Sequence, residues 1–548
     1  MVQVQQRVLK FRVNAARLLL AGALGVVVLP HPLAAQKFYP DDPLWRDPRP
    51  LPVAKAKSRK IDEYFDFFQN TFFEPDKQLK KEHNPGPSEA VNTLSEVPDS
   101  AWFTNRIGSR TLSLAELVRG PGESHPPAQD QPWVVVSAKN EGITPGLVIR
   151  DSAGRVYFLK FDPMSNPGMA SAADVLGSKL FYDLGYNVPE NYIVHFTRRQ
   201  LAVNQKSRYS DPRGHARSMT AADIDDILRK VPVDGDRKIR GLASLTIPGD
   251  ILGPFRYYGT RRDDPNDVVD HQKRRDLRGL YVFAAWLNHT DSKSINSLDS
   301  LIEENGIQFV RHYLIDFGAI LGSDSFEAKS PRAGNVYLFD FKPAAWQFLS
   351  LGLDVPAWMR ANYPHLPEVG HLEYKTFNPE HWRSNYPNPA FDQRTPGDTY
   401  WAAKKVMAFS DRDLSAIVDT AQFTNPRAAE WVTRCLIERR DKIGRAFFQD
   451  VLPLDDFAVR GGVLHFDDLA VRYHFRGPQE HSVNWFNFDN HSGSKTPVSN
   501  ASGFTVPRVA EGRYLAAVIH GPNPRQTVTV YLRQEASGEK VVGIGRTW

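Results

Sequence analysis

The clearest local structure in this 548-residue sequence is a β-hairpin. Two apolar runs, LDSLI (298–302) and IQFVRHYLIDF (307–317), are joined by Glu303-Glu304-Asn305-Gly306. Asn-Gly is the strongest short-range hairpin signal, because both residues tolerate a positive φ. The polar segment HTDSKSIN (289–296) precedes the hairpin, and the tripeptide Asp316-Phe317-Gly318 ends it. Any fold of this chain must accommodate that arrangement.

A second pattern predicts the element order β-β-β-α-β. Three runs separated by turn residues indicate an antiparallel meander, and a fourth follows the helix: WVVVSAK (133–139), LVIRD (147–151), RVYFLKF (155–161) and NYIVHF (191–196). In the predicted helix over 169–185, Leu176, Leu180 and Leu184 recur every four positions, and Gly185 is a plausible C-cap.

The remaining sequence divides into regions that differ in polarity and in the spacing of apolar residues. Residues 200 to 240 are polar and predicted to be loops, while Leu277, Leu280, Ala284 and Leu287 have helical spacing. Residues 325 to 450 are predicted helical, and short runs after Pro453 indicate a small β-sandwich. The predicted domains are a signal peptide (1–35), an N-terminal extension (36–130), an N-lobe (131–200), a C-lobe (201–453) and an all-β C-terminal domain (454–548).

Three polar groups stand in an order that suits phosphotransfer. Lys160 lies in an apolar strand after the glycine-containing turn NEGITPG (140–146), where an ammonium can hold phosphates. Asp291 and Asn296 stand five apart after the predicted helix; a carboxylate near the attacking hydroxyl and an amide oxygen on a metal are what the chemistry needs. Asp316 offers a hard oxygen ligand for Mg²⁺. Each signal alone is weak; their combination is specific.

With these motifs the chain resembles the atypical branches of the protein-kinase-like superfamily. HTDSKSIN looks like the catalytic loop H-R-D-x-x-x-x-N, and WLNHTDSKSIN looks like the loop of HipA-type and phosphoinositide-kinase-like enzymes; CotH-like kinases are exported examples. The resemblance covers residues 130 to 450. It implies an α+β, bilobal protein-kinase-like fold, with an antiparallel β N-lobe and a mainly helical C-lobe.

The resemblance also implies roles for individual residues. Asp291 would be the base, Lys160 would hold the ATP phosphates, and Asn296 and Asp316 would bind the metal. Lys293, two residues after the aspartate, matches a lysine that contacts the transferring phosphate in many kinases. The nucleotide would also meet the turn glycines Gly142 and Gly146.

Several positions depart from the kinase pattern. The turn has two glycines instead of three, Thr290 replaces the arginine of the catalytic loop, and no A-P-E follows the D-F-G. The helix after Lys160 has no glutamate, which leaves Asp174 as the nearest acidic partner for Lys160; a solvated helix-face carboxylate is the alternative. With these departures, the sequence does not determine which groups bind the phosphates.

Residues 1–35 have the pattern of a secretory signal. Arg7, Lys10, Arg12 and Arg17 precede the apolar run 18–29, and Ala34-Ala35 offers a cleavage site before Gln36. An uncleaved amphipathic anchor is the alternative. The segment has no acidic residue, so it supplies four of the five net positive charges, and the rest of the chain is almost neutral. Nucleic acid is therefore not the expected partner.

The chain has a single cysteine, Cys435, so it cannot form an internal disulfide, and Cys435 is predicted to be a core residue.

Together, the motifs and the signal segment predict an exported bacterial protein, periplasmic or secreted, that uses ATP and Mg²⁺ to phosphorylate a protein or small-molecule hydroxyl. The alternatives are a weakly active pseudokinase scaffold or envelope-binding protein, and an AMP transferase. The C-terminal domain is a candidate for envelope or glycan contact.

Overall fold

The computed structural model has a mixed α+β fold. It describes residues 36–73, 85–123, 125–138, 146–210, 215–340, 349, 355–499 and 501–548. The predicted signal segment 1–35 and the predicted phosphate-loop residue Gly142 lie outside the described residues. Within the described ranges, no helix combines the length and the apolar character needed to cross a membrane.

The N-terminal extension lies across the other elements in largely extended form. The Phe38 ring packs 5.1 Å from the ring of Tyr531 near the C-terminus, and the Val53 N–H donates to the carbonyl of Gln308 at 2.8 Å. Its two short helices are α1 (Glu63–Phe68), which continues into a π-helical turn (Gln69–Phe73), and α2 (Leu114–Arg119).

The first sheet contains the predicted meander, and the predicted β-β-β-α-β order is confirmed. Its first strands are β1 (Trp133–Ala138), β2 (Gly146–Arg150) and β3 (Val156–Lys160), all antiparallel neighbours. Helix α3 (Met169–Leu184) follows and leads to β4 (Asn191–Phe196). Tyr157 and Leu159 are fully buried on one face of β3, as the alternating pattern requires.

The prediction of loops over residues 200 to 240 was wrong. This region contains β5 (Leu201–Ala202), β6 (Arg208–Ser210), β7 (Ala216–Ser218), α4 (Ala221–Leu228) and the start of β8 (Ile239–Leu245). Strand β8 pairs with both β3 and β4, so this sheet extends beyond residue 200. Its sequence, IRGLASL, escaped notice because small residues replace the large apolar side chains that mark a buried strand.

The hairpin forms as predicted. Strand β9 (Asp250–Gly253) comes first, then helix α5 (Arg275–Leu287), β10 (Ser297–Glu304) and β11 (Ile307–Leu314). Strands β10 and β11 pair along their full length, and Asn305 and Gly306 have φ values of 50° and 74°. All 13 residues of α5 are buried, which fixes the loop that follows it against the core.

The helical region begins later in the chain than predicted. It consists of α6 (Pro389–Asp392), α7 (Pro396–Met407), α8 (Asp411–Asp419) and α9 (Pro426–Phe448). The described residues between 325 and 388 are mostly turns and irregular backbone, because Pro, Gly and Asn recur there too closely for long helices. Cys435 is fully buried in α9, as predicted for a core residue.

The C-terminal strands form a hairpin and a five-stranded sheet. The elements are β12 (Leu454–Arg460), β13 (Val463–Asp468), α10 (Leu469–Arg472), β14 (Ser482–Phe488), β15 (Lys495–Pro497), β16 (Tyr514–His520), β17 (Thr527–Glu535) and β18 (Gly538–Arg546). Leu454 and Leu464 of the hairpin share a core with Trp485 and Val530 of the sheet. The β-sandwich and the domain boundaries stay predictions.

A buried carboxyl group in α3 makes the stability of the fold depend on pH. Burial raises the pKa of Asp183 to about 8, although Arg106 and Lys179 act against the shift. The folded state therefore keeps a proton that the unfolded chain loses near pH 4. The stabilisation is present at low pH and is lost as the pH rises through about 8. Relative to Asp183→Asn, the wild type should lose at least about 1 kcal/mol of unfolding free energy between pH 4 and pH 8, as measured by urea denaturation.

Candidate functional site

Lys160 lies at the end of β3, between two carboxylates. Its Nζ is 3.0 Å from Asp174 Oδ2 on α3 and 2.8 Å from Asp316 Oδ1 after β11. Burial alone would lower the pKa of Lys160, but the two carboxylates raise it above its ordinary value. The ammonium is therefore charged at any physiological pH and lies among groups distant in sequence.

Asp174 bridges β3 and the segment after β11. Its Oδ1 accepts a hydrogen bond of 2.9 Å from the backbone N–H of Phe317, and its Oδ2 accepts from Lys160. The residue is 3% exposed, which excludes the alternative of a solvated helix-face carboxylate. The short side chain of Asp174 reaches Lys160 because α3 lies close to residues 316–318. Gly177 allows this close packing, since a Cβ there would lie only 2.4 Å from Phe317 Cβ.

Three side chains hold the carboxylate of Asp291 in the loop after α5, two from the loop itself and one, Asn385, from a distant segment. Oδ2 accepts from Asn296 Nδ2 at 2.9 Å, and Oδ1 accepts from Asn385 Nδ2 at 2.9 Å. Lys293 Nζ is also 2.9 Å from Oδ1. Burial raises the pKa of Asp291, but the ammonium groups of Lys293 and Lys329 outweigh it, so the pKa lies below its ordinary value. The result is an ionised, oriented carboxylate that can accept a proton.

Asn296 and Asp316 offer oxygen atoms of the kind that Mg²⁺ takes. Asn296 uses its Nδ2 on Asp291, which leaves its carbonyl oxygen as the atom a metal would take. Asp316 has a left-handed backbone (φ 62°, ψ 68°), and its carboxylate is half-exposed. Both residues line the same cavity. Hard carboxylate and amide oxygens beside open space fit a magnesium ion with bound phosphate.

Buried aromatic rings connect α3, the loop after α5 and residues 316–318. Phe317 stacks on Phe181 of α3 with ring centroids 5.0 Å apart, and His289 lies 6.0 Å from Phe317. Burial lowers the pKa of His289 to about 4, so the imidazole is neutral and packs as an apolar ring. The positions of α3, the loop and residues 316–318 are thereby coupled.

All of these polar groups line a single cavity of about 1030 Å³. The predicted residues that the structure brings together there are Lys160, Asp174, Asp291, Lys293, Asn296 and Asp316. Gly146 opens β2 opposite Lys160 and is not among the cavity-lining residues in the described part of the chain. A phosphate contact from Gly146 stays a prediction.

Sequence reasoning missed four side chains at this site. Lys329 Nζ donates to Thr290 Oγ1 at 2.5 Å and to the Ala319 carbonyl at 2.7 Å. Asn385 holds Asp291 as described above, and Glu63 of α1 forms an ion pair with Lys293. Asp66 of α1 accepts from Ser294 Oγ at 3.1 Å. None lies in a motif; only their spatial proximity reveals them.

Comparisons with known proteins give little. No protein-family model matches the chain, and no curated protein matches it in sequence. Among solved structures, the proinflammatory kinase CtkA of Helicobacter pylori gives a TM-score of 0.29 at 10% identity, covering 56% of this chain and 94% of that one.

Two structures of the Golgi casein kinase are also similar. One gives a TM-score of 0.27 at 9% identity and covers 75% of this chain and 96% of that one. The other, with Mn and ADP bound, gives 0.21 at 11% identity and covers 73% of this chain and 97% of that one. At these TM-scores the likenesses carry no argument; the functional argument depends on the geometry of the cavity.

Proposed function

We propose that this chain is an exported, magnesium-dependent ATP phosphotransferase with a kinase-like, bilobal fold, acting on a protein or small-molecule hydroxyl. One observation carries the proposal. Lys160, Asp174, Asp291, Asn296 and Asp316, which come from four separate elements, line one cavity. Phosphotransfer needs a fixed cation, a fixed base and hard metal ligands around one phosphate, and these five side chains are that set.

The chain's residues divide the work by position. Asp291 is ionised and held by Asn296 and Asn385, so it would orient the acceptor hydroxyl and take its proton. Lys160, held by Asp174, would contact the ATP phosphates. Lys293 contacts Asp291 and also lines the cavity, where its ammonium would approach the transferred phosphoryl group. A magnesium ion on Asn296 and Asp316 would neutralise developing phosphate charge.

A pseudokinase scaffold and an AMP transferase remain the alternatives. Scarcity of ATP outside the cytoplasm favours a scaffold. A scaffold, however, has no need for an oriented, ionised base or for Lys160 held between two carboxylates. The export signal at residues 1–35 and the envelope or glycan contact of the C-terminal strands belong to the proposal as well.

Nucleotide binding is the first test. We expect a calorimetric titration of the full chain from residue 36 to show ATP binding that requires Mg²⁺. Lys160→Met should weaken this binding, because it removes the ammonium between Asp174 and Asp316. Lys206→Met, at an exposed lysine outside the cavity, is the matched control. A wild type that binds no nucleotide with or without Mg²⁺ would rule out the proposal.

Lys329 is expected to position the catalytic loop, in place of the arginine that Thr290 replaces. Lys329→Met should lower kcat about tenfold while leaving the KM for ATP nearly unchanged. Because Lys329 also lowers the pKa of Asp291, the acid limb of the pH–rate profile should move to higher pH. Lys329→Arg should restore the acid limb. A purely structural role would lower activity without moving that limb, and such a result would refute the positioning role.

A further inference from the structure

Helix α1 and the turn after it have their polar and aromatic faces reversed. Asp66 is 2% exposed, whereas Tyr64, Phe65 and Phe68 are 77%, 57% and 52% exposed. A surface helix ordinarily buries its apolar face and leaves its charges in water. Phe72 and Phe73, in the π-helical turn, extend the exposed aromatic surface. Phe68 and Phe72 stack with ring centroids 5.7 Å apart, and exposed apolar surface of this kind marks an interaction site.

The loop after α5 and Tyr386 hold this reversed orientation in place. Asp66 accepts hydrogen bonds from Ser294 Oγ at 3.1 Å and from the Tyr386 hydroxyl at 2.8 Å. Glu63 pairs with Lys293, and Asp62 caps the helix by accepting from the Phe65 N–H at 2.8 Å. All three acids are therefore occupied by the protein itself. Asp62 and Glu63 stay exposed at the start of the helix, and the rest of the exposed surface of the helix and the turn is mainly aromatic.

The residues immediately before the helix are basic. Lys55, Lys57 and Lys60 are exposed, and among the described residues none of them forms an ion pair. Arg59, between them, pairs with Asp263 at 3.3 Å. The outward surface of residues 55–73 thus combines aromatic rings with the exposed ammonium groups of three lysines, alongside the carboxylates of Asp62 and Glu63. Aromatic rings settle at the headgroup level of a bilayer, and ammonium groups are attracted by anionic headgroups.

We propose that residues 55–73 dock the protein on an anionic phospholipid surface. A second copy of the chain fits this surface less well, because symmetric association would bring the same lysines together. Docking here would also orient the cavity, since Lys60, Ile61 and Glu63 form part of its wall. The cavity mouth would then lie beside the membrane.

Vesicle co-sedimentation of the full chain from residue 36 tests the proposal. The wild type should sediment with phosphatidylglycerol–phosphatidylcholine vesicles, and Tyr64→Ser/Phe65→Ser/Phe68→Ser should lower this partitioning about tenfold or more. The matched control Met164→Ser/Val233→Ser/Val268→Ser removes exposed apolar groups elsewhere and should partition as the wild type does.

A second variant keeps the test independent of the aromatic substitutions. Lys55→Gln/Lys57→Gln/Lys60→Gln should no longer bind phosphatidylglycerol vesicles. Added salt should abolish the binding of the wild type to the same vesicles, because it screens the attraction between the lysines and the anionic headgroups. The proposal is overturned if the wild type stays in the supernatant, or if both variants sediment as the wild type does. It is equally overturned if sedimentation velocity without lipid shows that the aromatic side chains join two copies of the chain.

Discussion

Replacing Asp316 by alanine is expected to abolish magnesium-dependent ATP binding, with a loss of affinity of about a hundredfold or more. The carboxylate is half-exposed in the cavity and is held by Lys160 at 2.8 Å. It is the most accessible hard oxygen ligand in the set, and nothing else in the D-F-G tripeptide can replace it. Its loss should remove the metal from the site, and with it the metal's share of the grip on the phosphates.

Asp324→Ala is the matched control for that substitution, since Asp324 is a carboxylate lining the same cavity outside the motif. It should leave ATP binding within about threefold of the wild type. Calorimetric titrations in the presence and absence of Mg²⁺ measure both effects. If Asp316→Ala binds ATP as the wild type does and the binding still requires Mg²⁺, Asp316 is not a metal ligand.

Asp291→Asn is expected to separate binding from chemistry. The amide keeps the shape of the side chain but cannot accept the hydroxyl proton, so phosphoryl transfer should fall about a hundredfold to ten-thousandfold. The affinity for ATP should stay close to that of the wild type, because Lys160, Asn296 and Asp316 are unchanged. Single-turnover transfer assays and titrations on the same preparation give the two quantities.

The protonation of Asp291 adds a pH signature. Burial raises its pKa, but Lys293, Lys329 and the hydrogen bond from Asn296 together lower it more, so the net pKa lies below the ordinary value. The active, ionised form should therefore persist to lower pH than for an ordinary aspartate, and the acid limb of the wild-type profile should lie at correspondingly lower pH. An equal loss of ATP binding and of transfer in Asp291→Asn would contradict the role of base.

The parts of the site that the sequence predicts are those fixed by local rules. Asn305-Gly306 determines a hairpin because its φ values are available to few other pairs, and the hairpin brings Asp316 toward Asn296. The alternating pattern of β3 predicts a strand that ends at Lys160, and the helical spacing that follows predicts α3, the helix that carries Asp174. Short-range sequence patterns suffice for each of these.

The missed residues depend on contacts between distant segments. Asn385 reaches Asp291 across 94 residues, and Glu63 reaches Lys293 across 230. No periodicity or motif encodes such a pairing, because nothing in the local sequence distinguishes an asparagine that contacts a distant carboxylate from one that faces solvent. Strand β8 was missed for another reason: Gly241, Ala243 and Ser244 carry little hydrophobic signal, and the neighbouring strands alone fix its place.

Transfer of label from ATP tests the central claim most directly. The full chain from residue 36 is incubated with Mg²⁺ and ATP labelled at the γ- or at the α-phosphate, with a bacterial envelope fraction as acceptor and with Asp291→Asn alongside. Label should move from the γ-position to an acceptor hydroxyl in the wild type and not in the variant. Transfer from the α-position would indicate AMP transfer, and absence of transfer from either position, with ATP binding intact, would indicate a scaffold; either result would contradict the account.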